Sequence, residues 1–392
     1  MSGTEKELEL KKKKRFFTDD VWTVALLVLL SRVVILVLSY IFFIINRSGA
    51  GVKEFYEWMA QAGDVPHYIR IAQNGYSVGD EFQNLIVFYP LYPMLMKAVA
   101  FVVRDYLVAG IIISNVCTVV AACFMYKLVR IDYSRNTAAM AVLLLLVYPF
   151  SFFMSFCYTE ALFVMLCLMC AYYARKGMWG ACGATGLLAA LCRTQGIILF
   201  GVAIYEIIVQ AIDKARKENK KFVKCLPVSG LFTLLIPMGY GIYLFINKVL
   251  FGEWTKFMEF QQAAPWYHTV HFYVENLQEH MRMAAAYYPQ LALVIYIPQV
   301  VMFFVAFALV ILGIRQKVRT SYLLHIAAYT AITYFTGWLI SGGRYMLGCV
   351  FMFIPLAVLA GKNRIWRYAL TAGLTALSIF TLYLYIRGYA IM

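Results

Sequence analysis

The chain has 392 residues, of which 63% are hydrophobic and only 14% are charged. Soluble domains have roughly 25% charged residues, so this composition excludes an ordinary soluble fold. Apolar runs of about 20 residues recur along the chain, which is the length that one helix needs to cross a bilayer core. A membrane β-barrel would instead show short alternating segments, so the sequence predicts an all-α polytopic membrane protein.

The basic residues give the chain a formal net charge of +15, and they cluster in short loops between the apolar runs. This distribution is typical of membrane topology, so we expect no nucleic-acid partner. The nine cysteines lie mostly within apolar runs and lack the paired spacing of a disulfide framework. We therefore expect them to be small apolar side chains rather than disulfides or metal ligands.

Eleven apolar segments are predicted as membrane spans. They cover residues 21–46, 107–129, 138–157, 159–174, 179–195, 197–212, 225–250, 291–314, 320–341, 345–361 and 368–387. The first is too long for the apolar core of a signal peptide and lacks a small-residue cleavage site, so we expect it to be retained. We interpret residues 1–392 as a single integral membrane domain.

Lysine and arginine clusters indicate the orientation of these spans. If the basic run at residues 11–15 is cytoplasmic, the other clusters fall on the same side, as the positive-inside rule requires. Two long segments, residues 47–106 and 251–290, then lie outside. The first is broken by prolines and basic residues and is predicted to form interfacial helices. The second is rich in tryptophan and tyrosine, which suits the headgroup zone.

Asp64 is the first candidate for chemistry, in the outer segment that follows the first span. A carboxylate at the membrane surface can accept a proton from an attacking sugar hydroxyl. The alternative is a helix N-cap, because aspartate before a proline-led apolar segment is a good cap. Further along, residues 88–93 (FYPLYP) contain Tyr89 and Tyr92, which can stack on a sugar or belong to an interfacial aromatic belt.

Glu160 and Arg193 lie at the predicted outer ends of neighbouring spans. An acid so close to hydrocarbon normally has a partner or a function, and Arg193 is the candidate partner. The alternative for both is a structural ion pair that joins two helices.

Arg344 opens the tenth span from the outside, after Gly342 and Gly343. Its forked guanidinium matches phosphate oxygens, and the glycines are predicted to let a prenyl phosphate approach the backbone closely. The alternative is an arginine that only reaches the headgroups.

These candidates share one side of the membrane, although the orientation was inferred from the basic loops of the other side. The outer set contains Asp64, Glu160, Arg193, Gln195, Gln261, Gln262 and Arg344. A site that combines acids, arginines and aromatic rings at an interface suits a substrate that is itself a lipid.

Five segments in this order resemble the PIG-V-like mannosyltransferases, which include the eukaryotic enzyme that adds the second mannose of the glycosylphosphatidylinositol anchor and shorter bacterial members. The segments are residues 67–76 (HYIRIAQNGY), 88–93 (FYPLYP), 158–160 (YTE), 193–196 (RTQG) and, as in the bacterial members, 251–266. The resemblance covers most of the chain from Asp64 to Arg344. One departure is Gly63, which stands where the family usually has a tryptophan that could stack on a sugar; Trp58 is the nearest tryptophan.

The resemblance implies a GT-C fold, with an active site at the extracytoplasmic face and a polyprenyl-phosphate sugar as donor. It implies that Asp64 is the general base in an inverting transfer of a mannose-type sugar. Arg344 and Arg193 would bind the donor phosphate and neutralise it as it leaves. Substrate-binding roles are expected for His67, Tyr68, Tyr89, Tyr92, Tyr158, Glu160, Gln195, Gln261, Trp266 and Tyr345.

A monoanionic phosphodiester leaves without an obligatory metal, and the outer segments contain no Asp-x-Asp motif, so we expect no metal and no other cofactor. The expected partners are the donor, a glycan, glycolipid or lipid-linked acceptor, and the surrounding membrane lipids. We expect a bacterial cytoplasmic membrane, with the active site facing outward.

Two other functions are alternatives to a glycosyltransferase. A transporter or flippase of a lipid-linked sugar would place ionisable groups near mid-membrane in two related halves, and no such halves are visible. An acyltransferase or phosphotransferase would use a His–Asp pair or an acidic metal site. The three-residue spacing of Asp64 and His67 leaves that second alternative open.

The predicted orientation can be tested with single cysteines in a background that lacks the native ones. We expect an impermeant maleimide to label Trp266→Cys in intact cells, and to label Lys217→Cys only after the membrane is opened. Labelling of position 217 in intact cells would contradict the topology.

Overall fold

The computed structural model describes residues 19–286, 292–337 and 341–389. Within these ranges the regular structure is almost entirely helical, and Val270 and Thr336 form an isolated antiparallel bridge. The prediction of an all-α membrane protein is therefore confirmed. The basic run at residues 11–15, from which the orientation was inferred, lies outside the described residues.

The helices differ in length, and several are flanked by 3₁₀ segments. In the first half of the chain they are α1 (Asp19–Asn46), α2 (Val52–Gln61), α3 (Val65–Asn74), α4 (Leu91–Val103), α5 (Tyr106–Val129), α6 (Arg135–Leu146), α7 (Glu160–Arg175) and α8 (Trp179–Cys192). In the second half they are α9 (Ile198–Glu218), α10 (Leu235–Phe251), α11 (Lys256–Gln262), α12 (Tyr273–Ala286), α13 (Ile297–Arg315), α14 (Thr320–Tyr334), α15 (Gly342–Tyr345), α16 (Phe353–Lys362) and α17 (Arg364–Ile386).

Within the described residues all eleven predicted spans correspond to helical structure, but only some are long enough to cross a bilayer. Position 291 of one predicted span and positions 338–340 of another lie outside the described residues. In the described part of the chain, six helices meet that length and composition: Asp20–Asn46, Tyr106–Val129, Thr194–Glu218, Val228–Phe251, Ile297–Arg315 and Arg364–Ile386. A seventh candidate is the pair Gly342–Gly348 and Val350–Lys362, bent by 79°. The other predicted spans are the shorter helices α6, α7, α8 and α14. Sequence hydropathy overestimates the length of α6, α8 and α14, because a helix enclosed by other helices is as apolar as one that faces lipid.

The first outer segment contains α2, α3 and α4, as predicted. Helix α4 buries Tyr92 and Met96 on one side and exposes Met94, Phe101 and Val102 on the other. An exposed apolar face on a short helix suits the membrane interface. The interfacial position of these helices remains a prediction.

Helix α7 lies at the centre of the bundle, packed against α5 and α8. It begins at Glu160 and ends at Arg175, which separates these two charges by about 22 Å at 1.5 Å per residue. Arg175 donates to both carboxylate oxygens of Asp132, at 2.6 and 2.7 Å. Nearby, Arg319 donates to both oxygens of the buried Glu206, each at 2.6 Å. Charges therefore gather at both ends of α7, and Asp132, Glu206 and Arg319 share the Arg175 end.

Candidate functional site

Four charged side chains form a continuous ion-pair chain at the Glu160 end of α7. Arg344 donates from Nη2 to Oδ2 of Asp64 at 2.7 Å, and from Nε to Oε1 of Glu160 at 2.5 Å. Arg193 donates from Nη2 to the same oxygen of Glu160. The predicted pairing of Glu160 with Arg193 is therefore confirmed, and Arg344 connects that pair to Asp64.

Each of these side chains stands at or near the end of a helical segment. Glu160 is the first residue of α7, and Arg193 directly follows α8. The partial positive charge of a helix N-terminus favours the carboxylate, and the partial negative charge of a C-terminus favours the guanidinium. Arg344 lies in the short helix α15, within the broken helix pair. Helix ends thus bring the charges to one end of the bundle without placing them in its apolar middle.

Asp64 occupies the N-cap position of α3, but its carboxylate makes no capping hydrogen bond. The carboxylate instead bonds to Arg344. Asp64 is therefore an N-cap by its backbone position, but its side chain does not cap the helix. The side chain of Asp64 is 25% exposed, whereas that of Arg344 is 3% exposed. Of the four ion-paired side chains, Asp64 is therefore the one that a substrate can reach most easily.

The packing around Gly63 explains why this position cannot hold a tryptophan. Its φ of +54° lies in the left-handed region, and a Cβ atom there would collide with the hydroxyl of Tyr158. That hydroxyl is held in place, because it donates to the carbonyl of Ala62 at 3.1 Å and bonds to the hydroxyl of Tyr385 at 2.8 Å. Trp58, the nearest tryptophan, packs on the ring of Tyr385 instead.

Arg344 is enclosed by aromatic rings. Its guanidinium carbon lies 4.6 Å from the ring centre of Tyr158 and 4.9 Å from that of Phe153. Burial of a charge is costly unless it is paired, and here two guanidinium groups face two carboxylates. The ion-pair chain therefore has no formal net charge.

A cavity of about 490 Å³ opens beside the ion-pair chain. Most of the predicted site residues line it, namely Asp64, His67, Tyr68, Tyr89, Arg193, Gln195, Gln261, Trp266, Arg344 and Tyr345. Residues from both long outer segments and from the ends of the bundle helices thus meet at one cavity. Among the described residues, no group of three His, Cys, Asp or Glu side chains is placed to hold a metal ion.

Three predicted site residues do not line the cavity. Tyr92 is fully buried, and its hydroxyl donates to the carbonyl of Gly110 at 3.0 Å. Tyr158 and Glu160 lie behind Arg344. The ring of Tyr158 packs on its guanidinium, and the carboxylate of Glu160 accepts a hydrogen bond from its Nε. The structure places these three as supports of the cavity wall.

The predicted open backbone at Gly343 is wrong. A Cβ atom at this position would collide with the ring of Phe150, and the carbonyl of Gly343 accepts a hydrogen bond from Tyr148 at 2.7 Å. The glycine therefore allows the close packing of an aromatic side chain rather than the approach of a prenyl phosphate.

Several cavity residues were not predicted as site residues. Thr159 accepts from Nε and Nη2 of Arg193, at 2.9 and 2.7 Å, and Thr194 bonds to the hydroxyl of Tyr89 at 2.8 Å. Both threonines are next to predicted site residues in the sequence, and this proximity could have identified them as site residues. Phe257 also lines the cavity and belongs to the fifth resembling segment, residues 251–266, whereas Tyr240 lies in a segment with no distinguishing pattern.

Burial favours the uncharged form of two histidines of the cavity. Burial lowers the pKa of His67 and of His268, and the negative charge of Asp64 opposes this lowering in both cases. In the uncharged form they can accept or donate hydrogen bonds but add no positive charge to the site.

Comparison with known proteins supports a glycosyltransferase fold. Residues 89–240 match the family model described as dolichyl-phosphate-mannose-protein mannosyltransferase. This stretch includes Glu160 and Arg193 but neither Asp64 nor Arg344. A search of curated protein sequences finds no match. The specific resemblance to the PIG-V type remains a prediction.

Among solved structures, the fold is similar to that of ArnT from Cupriavidus metallidurans bound to undecaprenyl phosphate. The TM-score is 0.51 at 12% identity, over 91% of this chain and 75% of ArnT. The oligosaccharyltransferase of Archaeoglobus fulgidus in its apo form gives a TM-score of 0.47 at 12% identity, over 91% of this chain and 55% of that one. The likeness to ArnT confirms the expected GT-C fold.

The tight packing at Gly63 can be tested against a glycine with the same backbone requirement. Gly79 has a φ of +79° and open space around it, so Gly79→Ala reports only the cost of the left-handed backbone, about 1–2 kcal/mol. Gly63→Ala carries the same backbone cost and also displaces Tyr158. We expect a clearly lower thermal unfolding midpoint in detergent for Gly63→Ala than for Gly79→Ala. Equal midpoints would show that Tyr158 does not restrain this position.

Proposed function

We propose that this chain, which has the GT-C glycosyltransferase fold, transfers a sugar from a polyprenyl-phosphate donor to a hydroxyl group of an acceptor. One observation carries the proposal: a reachable carboxylate, Asp64, is bonded to a buried arginine at the edge of a cavity of about 490 Å³. The undecaprenyl phosphate bound to ArnT and the description of the matching family model support a donor of this class.

In this proposal Asp64 is the general base. It accepts the proton of the acceptor hydroxyl, and the oxygen attacks the anomeric carbon of the donor sugar. The bond from that carbon to the phosphate oxygen breaks, and its electron pair leaves with the polyprenyl phosphate. The attack comes from the side opposite the phosphate, so the anomeric configuration is inverted.

Charge moves during this reaction, and Arg344 is placed to compensate for it. The aspartate loses one negative charge on protonation, and the phosphate gains one when it changes from a diester to a monoester. In the structure the Nη2 group of Arg344 is occupied by Asp64. We propose that the donor phosphate takes over part of this guanidinium and so releases the carboxylate to act as a base. Arg193 adds a second positive charge on the cavity wall.

The proposed setting is the outer face of a bacterial cytoplasmic membrane, with a mannose-type sugar on the donor. The matching family model and the fold shared with ArnT support an enzyme rather than a transporter.

The base can be tested with Asp64→Asn, which keeps the size of the side chain but cannot accept the proton. We expect turnover with polyprenyl-phosphate mannose in nanodiscs to fall by about 100-fold or more, without any rise in the donor KM. Asp80→Asn is the matched control, because Asp80 is an exposed carboxylate of the same outer segment. Near-normal turnover of Asp64→Asn would remove Asp64 from the chemistry.

The phosphate-binding arginine can be tested with Arg344→Lys. A lysine offers a single point charge, whereas Arg344 uses two separate nitrogens to reach Asp64 and Glu160. Loss of one charge-assisted hydrogen bond, worth about 1.5–3 kcal/mol, predicts a decrease in donor kcat/KM of about tenfold or more.

Arg104→Lys is the control for this substitution, because Arg104 lies at the end of α4 and does not line the cavity. Unchanged kinetics for Arg344→Lys would leave Arg193 as the remaining candidate for phosphate binding.

A further inference from the structure

The cavity has two walls of different chemistry that meet at Asp64. The bundle wall comes from the helix ends and holds Arg193 and Arg344. The outer wall comes from the two long outer segments and holds His67, Phe88, Gln261, Trp266 and His268. Asp64 contacts the bundle wall through Arg344, and its charge acts on both histidines of the outer wall.

We propose that the outer wall binds the acceptor, and that the acceptor is an uncharged saccharide. This assignment rests on the proposed transferase function and specifies the substrate class at the same cavity.

The charge balance of the cavity disfavours an anionic acceptor. The ion-pair chain of Asp64, Glu160, Arg193 and Arg344 is neutral, so a bound donor phosphodiester already brings one uncompensated negative charge. Among the described residues that line the cavity, no lysine and no further arginine is present to balance a second anion. A cationic acceptor is disfavoured as well, because an ammonium group would pair with Asp64 and weaken it as a base.

The side chains of the outer wall suit a sugar ring. Trp266 lines the cavity and meets the ring of Phe88 edge to face, with 6.0 Å between ring centres. An aromatic ring can cover the apolar face of a pyranose. The side-chain amides of Gln261 and Gln262 also line the cavity and have no hydrogen-bond partner among the described residues. Each amide offers both donors and an acceptor, which matches neighbouring sugar hydroxyls.

Backbone hydrogen bonds hold this wall in place before any ligand binds. The N–H of His268 donates to the carbonyl of Gln261 at 2.7 Å, which closes the turn that carries Trp266. The N–H of Phe257 donates to the side-chain oxygen of the buried Asn247 at 2.9 Å and fixes the start of α11. A rigid wall lowers the entropy cost of ordering a flexible saccharide.

The direction of the reaction assigns this wall to the acceptor and not to the donor sugar. In an inverting displacement the base and the leaving phosphate stand on opposite sides of the anomeric carbon. The phosphate requires Arg193 and Arg344, so it lies along the bundle wall. The attacking hydroxyl must reach Asp64 from the other side, and that side is the outer wall.

The experiment uses the full chain in nanodiscs with polyprenyl-phosphate mannose. The acceptors are the octyl glycosides of glucose, mannose, galactose and N-acetylglucosamine, each with and without a 6-phosphate. Donor consumption and product formation are measured separately, so that hydrolysis by water is also seen. We expect transfer to at least one neutral glycoside and a much lower kcat/KM for its phosphorylated form.

The wall itself is tested by Trp266→Ala. Loss of the aromatic ring that covers the sugar predicts an acceptor KM about tenfold higher, with the donor KM nearly unchanged. Trp254→Ala is the matched control, because Trp254 belongs to the same outer segment, is 51% exposed and does not line the cavity.

Three results would overturn the assignment while leaving the transferase function intact, because the donor would still be consumed. They are equal use of a phosphorylated and a neutral glycoside, donor consumption without transfer to any neutral glycoside, and a Trp266→Ala variant whose donor KM rises alone. A wild-type protein that consumes no donor under any condition would instead contradict the proposed function itself.

Discussion

The site depends on one buried guanidinium that is shared by two carboxylates. Arg344 bonds to Asp64 and to Glu160, which lie 280 and 184 residues away in the chain. Taking these charges out of water is costly, and their mutual pairing offsets the cost only if both carboxylates are in place. The outer helix α3, the central helix α7 and the broken helix pair must therefore assemble together, and the cavity forms where they meet.

The same constraint connects structure to chemistry. A neutral ion-pair chain can admit one monoanionic donor, and a guanidinium that already contacts the proposed base can follow the negative charge as it moves to the phosphate of the proposed donor. The ring of Tyr158 stacks on Arg344 and the hydroxyl of Thr159 accepts from Arg193, so both positive charges are held at the cavity in a fixed geometry. Preorganised charge of this kind is the usual source of large electrostatic contributions to catalysis.

Much of this arrangement could be predicted from the sequence, and the misses have physical causes. Helix ends and topology placed Asp64, Glu160, Arg193 and Arg344 on one side, and the Glu160–Arg193 pair followed because the two residues end neighbouring helices. The bond from Arg344 to Asp64 was not predicted, since no local pattern connects residues so far apart. Tyr92 was predicted to contact substrate and Gly343 to leave the backbone open, but both lie in tight core packing. Tyrosine and glycine occur in all of these settings, so the residue type alone does not distinguish them. Hydropathy also made helices such as α8 look long enough to cross the bilayer.

Inversion at the anomeric carbon is the chemical signature of the proposed transfer from a polyprenyl phosphate. It can be measured by NMR of the product that purified protein forms from polyprenyl-phosphate mannose of known anomeric configuration. We expect the sugar to appear on the acceptor with the opposite configuration. Retention of the configuration would contradict the single displacement by an acceptor that Asp64 activates. A donor that remains intact would contradict the transferase function as a whole.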